Sequence, residues 1–290
     1  MKKLDKLFKN SKKIKIDDSS KFVIMSDCHR GSGDNYDNFI KNQNIFNSAL
    51  RHYYDKNFTY IELGDGDDMW EVSNYKEIVE EHLESFKEMK KFNDSGRFIM
   101  VYGNHDIEKR NQDVLDKTFA TYDDNSSKED LLKDLQVYES LVVVYKKKEI
   151  FMLHGHQVDF LNSTLWRLSR FLVRHIWRKL EFISTKDPTG AARNYSVSKR
   201  VEKKFQKWSI KNDKIVIAGH THRPIFPEIG DGLYFNDGSC VHPDGITCLE
   251  IENGYITLVK WILYANDKDI LSVERTILAG SEPIEKFFKK

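Results

Sequence analysis

The sequence predicts an α/β fold, and three observations carry the prediction. Short apolar runs rich in Val, Ile and Phe recur along the first two thirds of the chain, each ending in a polar cluster. Helical-looking segments separate the early runs. In the last third, further runs follow one another with only short turns between them. Runs that are apolar throughout are what strands covered on both faces require. Strand, helix and strand with polar loops between them describe a sheet whose functional groups lie outside its carboxyl edge.

The elements follow in order. "FVIM" (22–25) runs into "SDCHRG", and a segment over 36–56 then carries apolar residues at helical spacing. "FTYIEL" (58–63) leads into "GDGDDMWE", followed by a second helical segment over 74–93. "RFIMVY" (97–102) leads into "GNHD", "EIFML" (149–153) into "HGHQVD", and "KIVIA" (214–218) into "GHTHRP". "GLYFN", "ITCLEIE" and "YITLVKWILY" are strands, with "ENG" a hairpin signal between the last two. These three are expected to form a meander in a second sheet. There is no internal repeat and no low-complexity linker. The expected organisation is one domain over 1–290 with a helical cap insertion at 160–210.

Composition narrows the class. A chain of 290 residues with 40% hydrophobic and 12% aromatic residues can bury a sizeable core, which excludes disorder as a whole. A net charge of +1 selects no partner. Three cysteines, Cys28, Cys240 and Cys248, form no disulfide framework and point to a reducing compartment. The lysine-rich first twenty residues contain no apolar stretch of the kind a secretory signal needs. No run approaches the roughly 20 apolar residues of a membrane span. The expected location is cytoplasmic, with peripheral membrane contact left open.

The polar clusters contain Asp27, His29, Asp65, Asn104, His154, His220 and His222. All are oxygen or imidazole donors and none is a thiolate. Such a set suits Mn, Fe or Zn in a catalytic site better than a structural zinc. Seven donors are too many for one ion and fit two ions sharing a carboxylate, roughly 3.5–4 Å apart, as in hydrolytic two-metal sites. Alternation at a strand end would place Asp27 and His29 on one side and Cys28 on the other. Each motif alone is weak; five in order, each directly after a strand, are not a chance pattern.

These motifs identify the chain as similar to the calcineurin-like metallophosphoesterases. That family's pattern is Asp-x-His, Gly-Asp-x-x-Asp, Gly-Asn-His-Asp/Glu, a lone His and Gly-His-x-His, here "DCH", "GDGDD", "GNHD", His154 and "GHTH". The resemblance implies a four-layer αββα sandwich of two mixed sheets flanked by helices. It also implies two divalent ions, with Mn first and Fe or Zn as alternatives. Asp27, His29 and His222 would hold one, Asn104, His154 and His220 the other, and Asp65 would bridge them. A hydroxide bridging the ions would attack phosphorus in line. His105, oriented by Asp68, would act as general acid or as a stabiliser of transition-state charge. Arg30, Asn104 and His156 are candidates for contact with the substrate phosphate.

The span 160–210 contains twelve Lys/Arg and three Asp/Glu, a local charge of +9 in a chain of net +1, so the remainder carries −8. Leu165, Leu168, Leu172, Ile176 and Leu180 form an apolar stripe among its arginines. Such a segment suits a solvated arm, a nucleic-acid binder, a membrane-surface element or a lid over an anionic, partly apolar substrate. A basic helical insertion here, with "GHTHRP" and "NDGS", resembles the UDP-2,3-diacylglucosamine pyrophosphatase branch. That branch has Gly-Asn-Arg-Asp and His-Gly-Asp where this chain has "GNHD" and "HGH". The expected function is hydrolysis of a phosphate ester or pyrophosphate, with an anionic nucleotide-linked or lipid-linked diphosphate as the substrate class. Phosphoprotein phosphatase and cyclic-nucleotide or nucleic-acid phosphodiesterase are the alternatives, nucleic acid being the less expected partner. A non-catalytic scaffold would be expected to lose ligands, and all seven are present.

Overall fold

The computed structural model describes residues 1–119, 122–123, 128–129, 131–159, 162, 166–173, 195–265 and 270–288. In chain order the elements are α1 (Lys2–Asn10), β1 (Lys12–Ile16), β2 (Lys21–Met25), α2 (Gln43–Asp55), β3 (Thr59–Leu63), α3 (Tyr75–Glu81) and α4 (Leu83–Asp94). Next come β4 (Phe98–Val101), α5 (Gln112–Phe119), β5 (Tyr122–Asp123), β6 (Lys128–Glu129), β7 (Val137–Tyr138), β8 (Ser140–Tyr145) and β9 (Lys148–Leu153). The chain continues through α6 (Trp166–Leu172), α7 (Tyr195–Asn212), β10 (Ile215–Ala218), β11 (Tyr234–Asn236), β12 (Ile246–Glu252), β13 (Tyr255–Ala265) and β14 (Leu271–Pro283).

Two mixed sheets form, one in the order β1-β8-β9-β10-β11 and the other β14-β13-β12-β2-β3-β4-β7. Period-two alternation divides each strand between two cores. Ile24, Ile61, Val101, Ile150, Met152, Ile215 and Ile217 meet between the sheets. Val23, Met25, Tyr60, Phe98 and Met100 face the opposite way and pack with Phe46, Leu50, Phe86 and Met89 of α2 and α4. On the other outer face, Phe151, Leu153, Val216 and Ala218 pack under Leu4 of α1 and Val201, Phe205 and Trp208 of α7. The result is helix, sheet, sheet, helix, the four layers expected.

One expectation is corrected. The C-terminal meander does not build a sheet of its own: β12 pairs antiparallel with β2, so β12, β13 and β14 extend the seven-stranded sheet of β2, β3 and β4. Apolar pattern places a strand in a core but does not say which neighbour it joins. Within the 160–210 span, α7 buries Val201, Phe205 and Trp208 against the five-stranded sheet. Residues 174–194, with Arg174, Ile176, Arg178 and Leu180, lie outside the described residues. No helix among the described residues is long and apolar enough to cross a membrane.

Candidate metal centre

β2, β3 and β4 run parallel in adjacent positions, as do β9 and β10. The loops leaving their carboxyl ends therefore emerge side by side. The first two remain zipped beyond the strands: the Asp27, His29 and Arg30 amides donate to the carbonyls of Gly64, Asp65 and Gly66 at 2.9–3.0 Å. The residues between are not extended. Asp27, His29, Asp65, His220 and His222 all have positive φ, between 49° and 66°. Five of the eleven non-glycine residues in that region, among those described, are thus expected ligands. Aspartate and histidine tolerate this region better than most residues, and such conformations cost of order 1–3 kcal/mol each and collect at functional sites. A left-handed twist at two alternate residues, not strand alternation, turns Asp27 and His29 inward while Cys28 stays in the core. At Gly103 a Cβ would sit 2.0 Å from Asp65 Oδ1, so only glycine lets that loop approach the carboxylate.

The ligand atoms converge in two groups around Asp65. In the first, His222 Nε2 lies 3.0 Å from Asp27 Oδ1 and 3.3 Å from His29 Nε2. His29 Nε2 lies 3.8 Å from Asp65 Oδ2. In the second, His154 Nε2 lies 3.0 Å from that same Oδ2, and the His154 and His220 rings are 5.1 Å apart. A four-coordinate ion with bonds of about 2.0–2.1 Å separates its ligand atoms by about 3.3 Å. Asp27, His29 and His222, and likewise Asp65, His154 and His220, could each hold an ion.

The residues fit a cation on chemical grounds as well. Asp27 Oδ1, Asn104 Oδ1 and His154 Nε2 are buried polar atoms with no hydrogen-bond partner, a costly state unless something else satisfies them. His154 Nδ1–H donates to the Leu63 carbonyl at 3.0 Å, which leaves the Nε2 lone pair free for a metal. Burial opposes a charged imidazole at His154, yet the Asp65 and Asp27 carboxylates outweigh it and raise its pKa to about 9. A field that draws a proton to this atom draws a cation to it equally.

His105 stands beside these groups. Its amide donates to Asp65 Oδ1 at 2.7 Å and its Nδ1 lies 3.0 Å from Asp68 Oδ1. Its ring stacks on Trp70 at 4.3 Å between centroids. Trp70 was not marked by sequence, although its place two residues after Asp68 is the signal that could have marked it. Asp159, also unmarked, puts Oδ2 3.3 Å from His220 Nε2.

Two residues expected to contact substrate are buried. Arg30 is fully buried, its guanidinium bridging both Glu62 oxygens at 2.9 and 3.0 Å and Asp67 at 2.5 Å. A guanidinium this buried and held by two carboxylates is spoken for within the fold. His156 is 3% exposed, between the His154 and Tyr102 rings. Burial, then the neighbouring imidazoles, hold its pKa well below the usual range, so it is neutral. Arg30→Ala should therefore lower unfolding free energy by about 3–5 kcal/mol, since it strands two buried carboxylates. A denaturant midpoint reads this directly; a raised KM at an unchanged midpoint would return Arg30 to the substrate.

Buried carboxylates and imidazoles at the carboxyl edges of two stacked sheets form a candidate metal-binding site. Residues 20–224 match the family model for calcineurin-like phosphoesterases, and the chain belongs to that family. It is similar in structure to a predicted phosphoesterase from Streptococcus pneumoniae at 16% identity, covering 89% of this chain and 97% of that one, TM-score 0.35. It is also similar to an archaeal phosphodiesterase (18%, 89% and 99%, TM-score 0.36) and to Vps29 of Chaetomium thermophilum (13%, 91% and 98%, TM-score 0.43). No curated protein matches the sequence.

Proposed function

We propose that this chain is a two-metal phosphoesterase that hydrolyses a phosphate ester or diphosphate. The observation that carries the reading is the position of Asp65 Oδ2, 3.8 Å from the imidazole of one group and 3.0 Å from that of the other. Asp27, His29 and His222 form one site; Asn104, His154 and His220 form the other; Asp65 serves both. Mn suits these oxygen and imidazole donors, with Fe and Zn as alternatives. Bound there, two divalent cations supply an activated water near neutral pH and neutralise phosphoryl charge. Asn104 orients the phosphoryl group beside its site. His105 stays outside the ligand set despite its nearness to His29 and Asp65, because Asp68 holds Nδ1 and leaves Nε2 for the leaving oxygen.

The substrate class we propose is an anionic diphosphate linked to a nucleotide, sugar or lipid. Both described ends of the basic span support a cap. Arg170 of α6 pairs with Glu108, four residues beyond Asn104, and Arg110 lies over Trp166 at 5.9 Å. At the other end Arg223, next to His222, lies over Tyr195 at 4.9 Å and pairs with Glu202 at 3.7 Å. Binding energy from a remote group of this kind orients the reacting phosphoryl. Replacing residues 174–194 with a short linker should leave hydrolysis of a small aryl phosphate intact and lower turnover of a nucleotide-diphosphate lipid. A screen of the Mn-loaded enzyme against monoesters, diesters, phosphopeptides and pyrophosphates tests the class. Preference for a phosphopeptide or a nucleic acid would overturn it.

A further inference from the structure

Behind the metal loops lies a cluster of charges that the proposed chemistry does not use. Arg30, Glu62, Asp67, Asp106 and Lys109 are each at most 1% exposed. Lys109 Nζ lies 2.5 Å from Asp67 Oδ2 and 2.9 Å from Asp106 Oδ2. Arg30 joins Asp67 and Glu62 from the other side, while the Tyr75 hydroxyl donates to Asp67 and that of Tyr60 to Glu62. Burying three carboxylates with two cations is weak grounds for stability, because desolvation offsets much of the attraction. Asp106 has a second task. Its carboxylate accepts from the Gly66 amide at 3.1 Å and from the Gly103 amide at 2.6 Å. One carboxylate thereby ties the loop of Asp65 to the loop of Asn104 and His105, and Lys109 holds that carboxylate in place.

We propose that Lys109 is a positioning residue for the second metal group, an inference that rests on the two-ion reading above. By fixing Asp106, Lys109 sets the distance between Asp65 and Asn104, the two donors of that group carried on these loops. The first group depends on it less, because Asp27 and His29 are zipped to the Asp65 loop by backbone bonds and His222 comes from the loop after β10. Outer-shell partners of metal ligands are worth about 10–100-fold in metal affinity. Lys109→Met should weaken the second ion by that factor and the first far less.

The test is titration of Mn²⁺ into the metal-free full chain, with both dissociation constants and the melting temperature recorded for each variant. Lys109→Met leaves one buried cation against three carboxylates and is expected to melt early. The double variant Lys109→Met with Asp67→Asn restores the original excess of one carboxylate but still leaves Asp106 without its lysine. Recovered melting temperature with the second site still about 10–100-fold weak is the expected result. Recovery of both together, or failure of both variants to fold, would overturn the inference by making Lys109 a matter of stability alone, and equal weakening of both sites would overturn it by removing the preference for the second group. Wild-type protein that takes up a single ion would instead overturn the two-ion reading.

Discussion

Replacing Asp65 with asparagine is expected to weaken metal binding at both groups at once. Oδ2 of Asp65 faces His154 Nε2 at 3.0 Å and His29 Nε2 at 3.8 Å, while Oδ1 accepts the His105 amide at 2.7 Å. Asparagine has one acceptor oxygen and one NH₂. If the oxygen keeps the His105 amide, the NH₂ points at both ions; if it turns to the ions, the NH₂ meets the His105 N–H. Neither orientation serves. The loss at each site should exceed the 10–100-fold typical of an outer-shell partner, because a shared ligand is removed. Calorimetric titration of the metal-free variant measures it. Weakening confined to one site would show that Asp65 belongs to that site alone.

His105→Ala should lower turnover by about 10²–10⁴-fold, the usual worth of an acid–base group, while leaving both ions bound. His105 contributes its amide to Asp65, which alanine retains, and its Nδ1 to Asp68, which lies outside the ligand set. Comparing leaving groups separates its two proposed tasks. A proton donor matters less when the leaving oxygen is already a weak base, so the loss should shrink for nitrophenyl esters. An equal loss across leaving groups would assign His105 to charge stabilisation. Unchanged turnover would remove it from the reaction.

The sequence made the ligand-bearing strands legible because each is apolar along its whole length and stops at a polar cluster. β2, β3, β4, β9 and β10 stand within two residues of the runs quoted for them. The residue types Asp, His and Asn at those strand ends were legible for the same reason, since a buried strand end has little other use for them. Neighbour relations were not. β12 joins β2 through a backbone ladder that leaves no mark in side-chain periodicity. β14 was missed because most of its thirteen residues are exposed and mix polar with apolar types. The burial of Arg30 and His156 was not legible for another reason. Adjacency to a ligand along the chain says nothing about direction where the backbone turns left-handed, and Arg30 turns into the core. α7 reads as basic from its exposed lysines, yet Val201, Phe205 and Trp208 fix it to the sheet.

The most direct test of the account is the metal content of the purified, fully active chain, measured by elemental analysis against protein concentration. The convergence of two ligand groups on one Asp65 carboxylate predicts two transition-metal ions per chain, with activity rising until the second is bound. Full activity with a single ion per chain would contradict it.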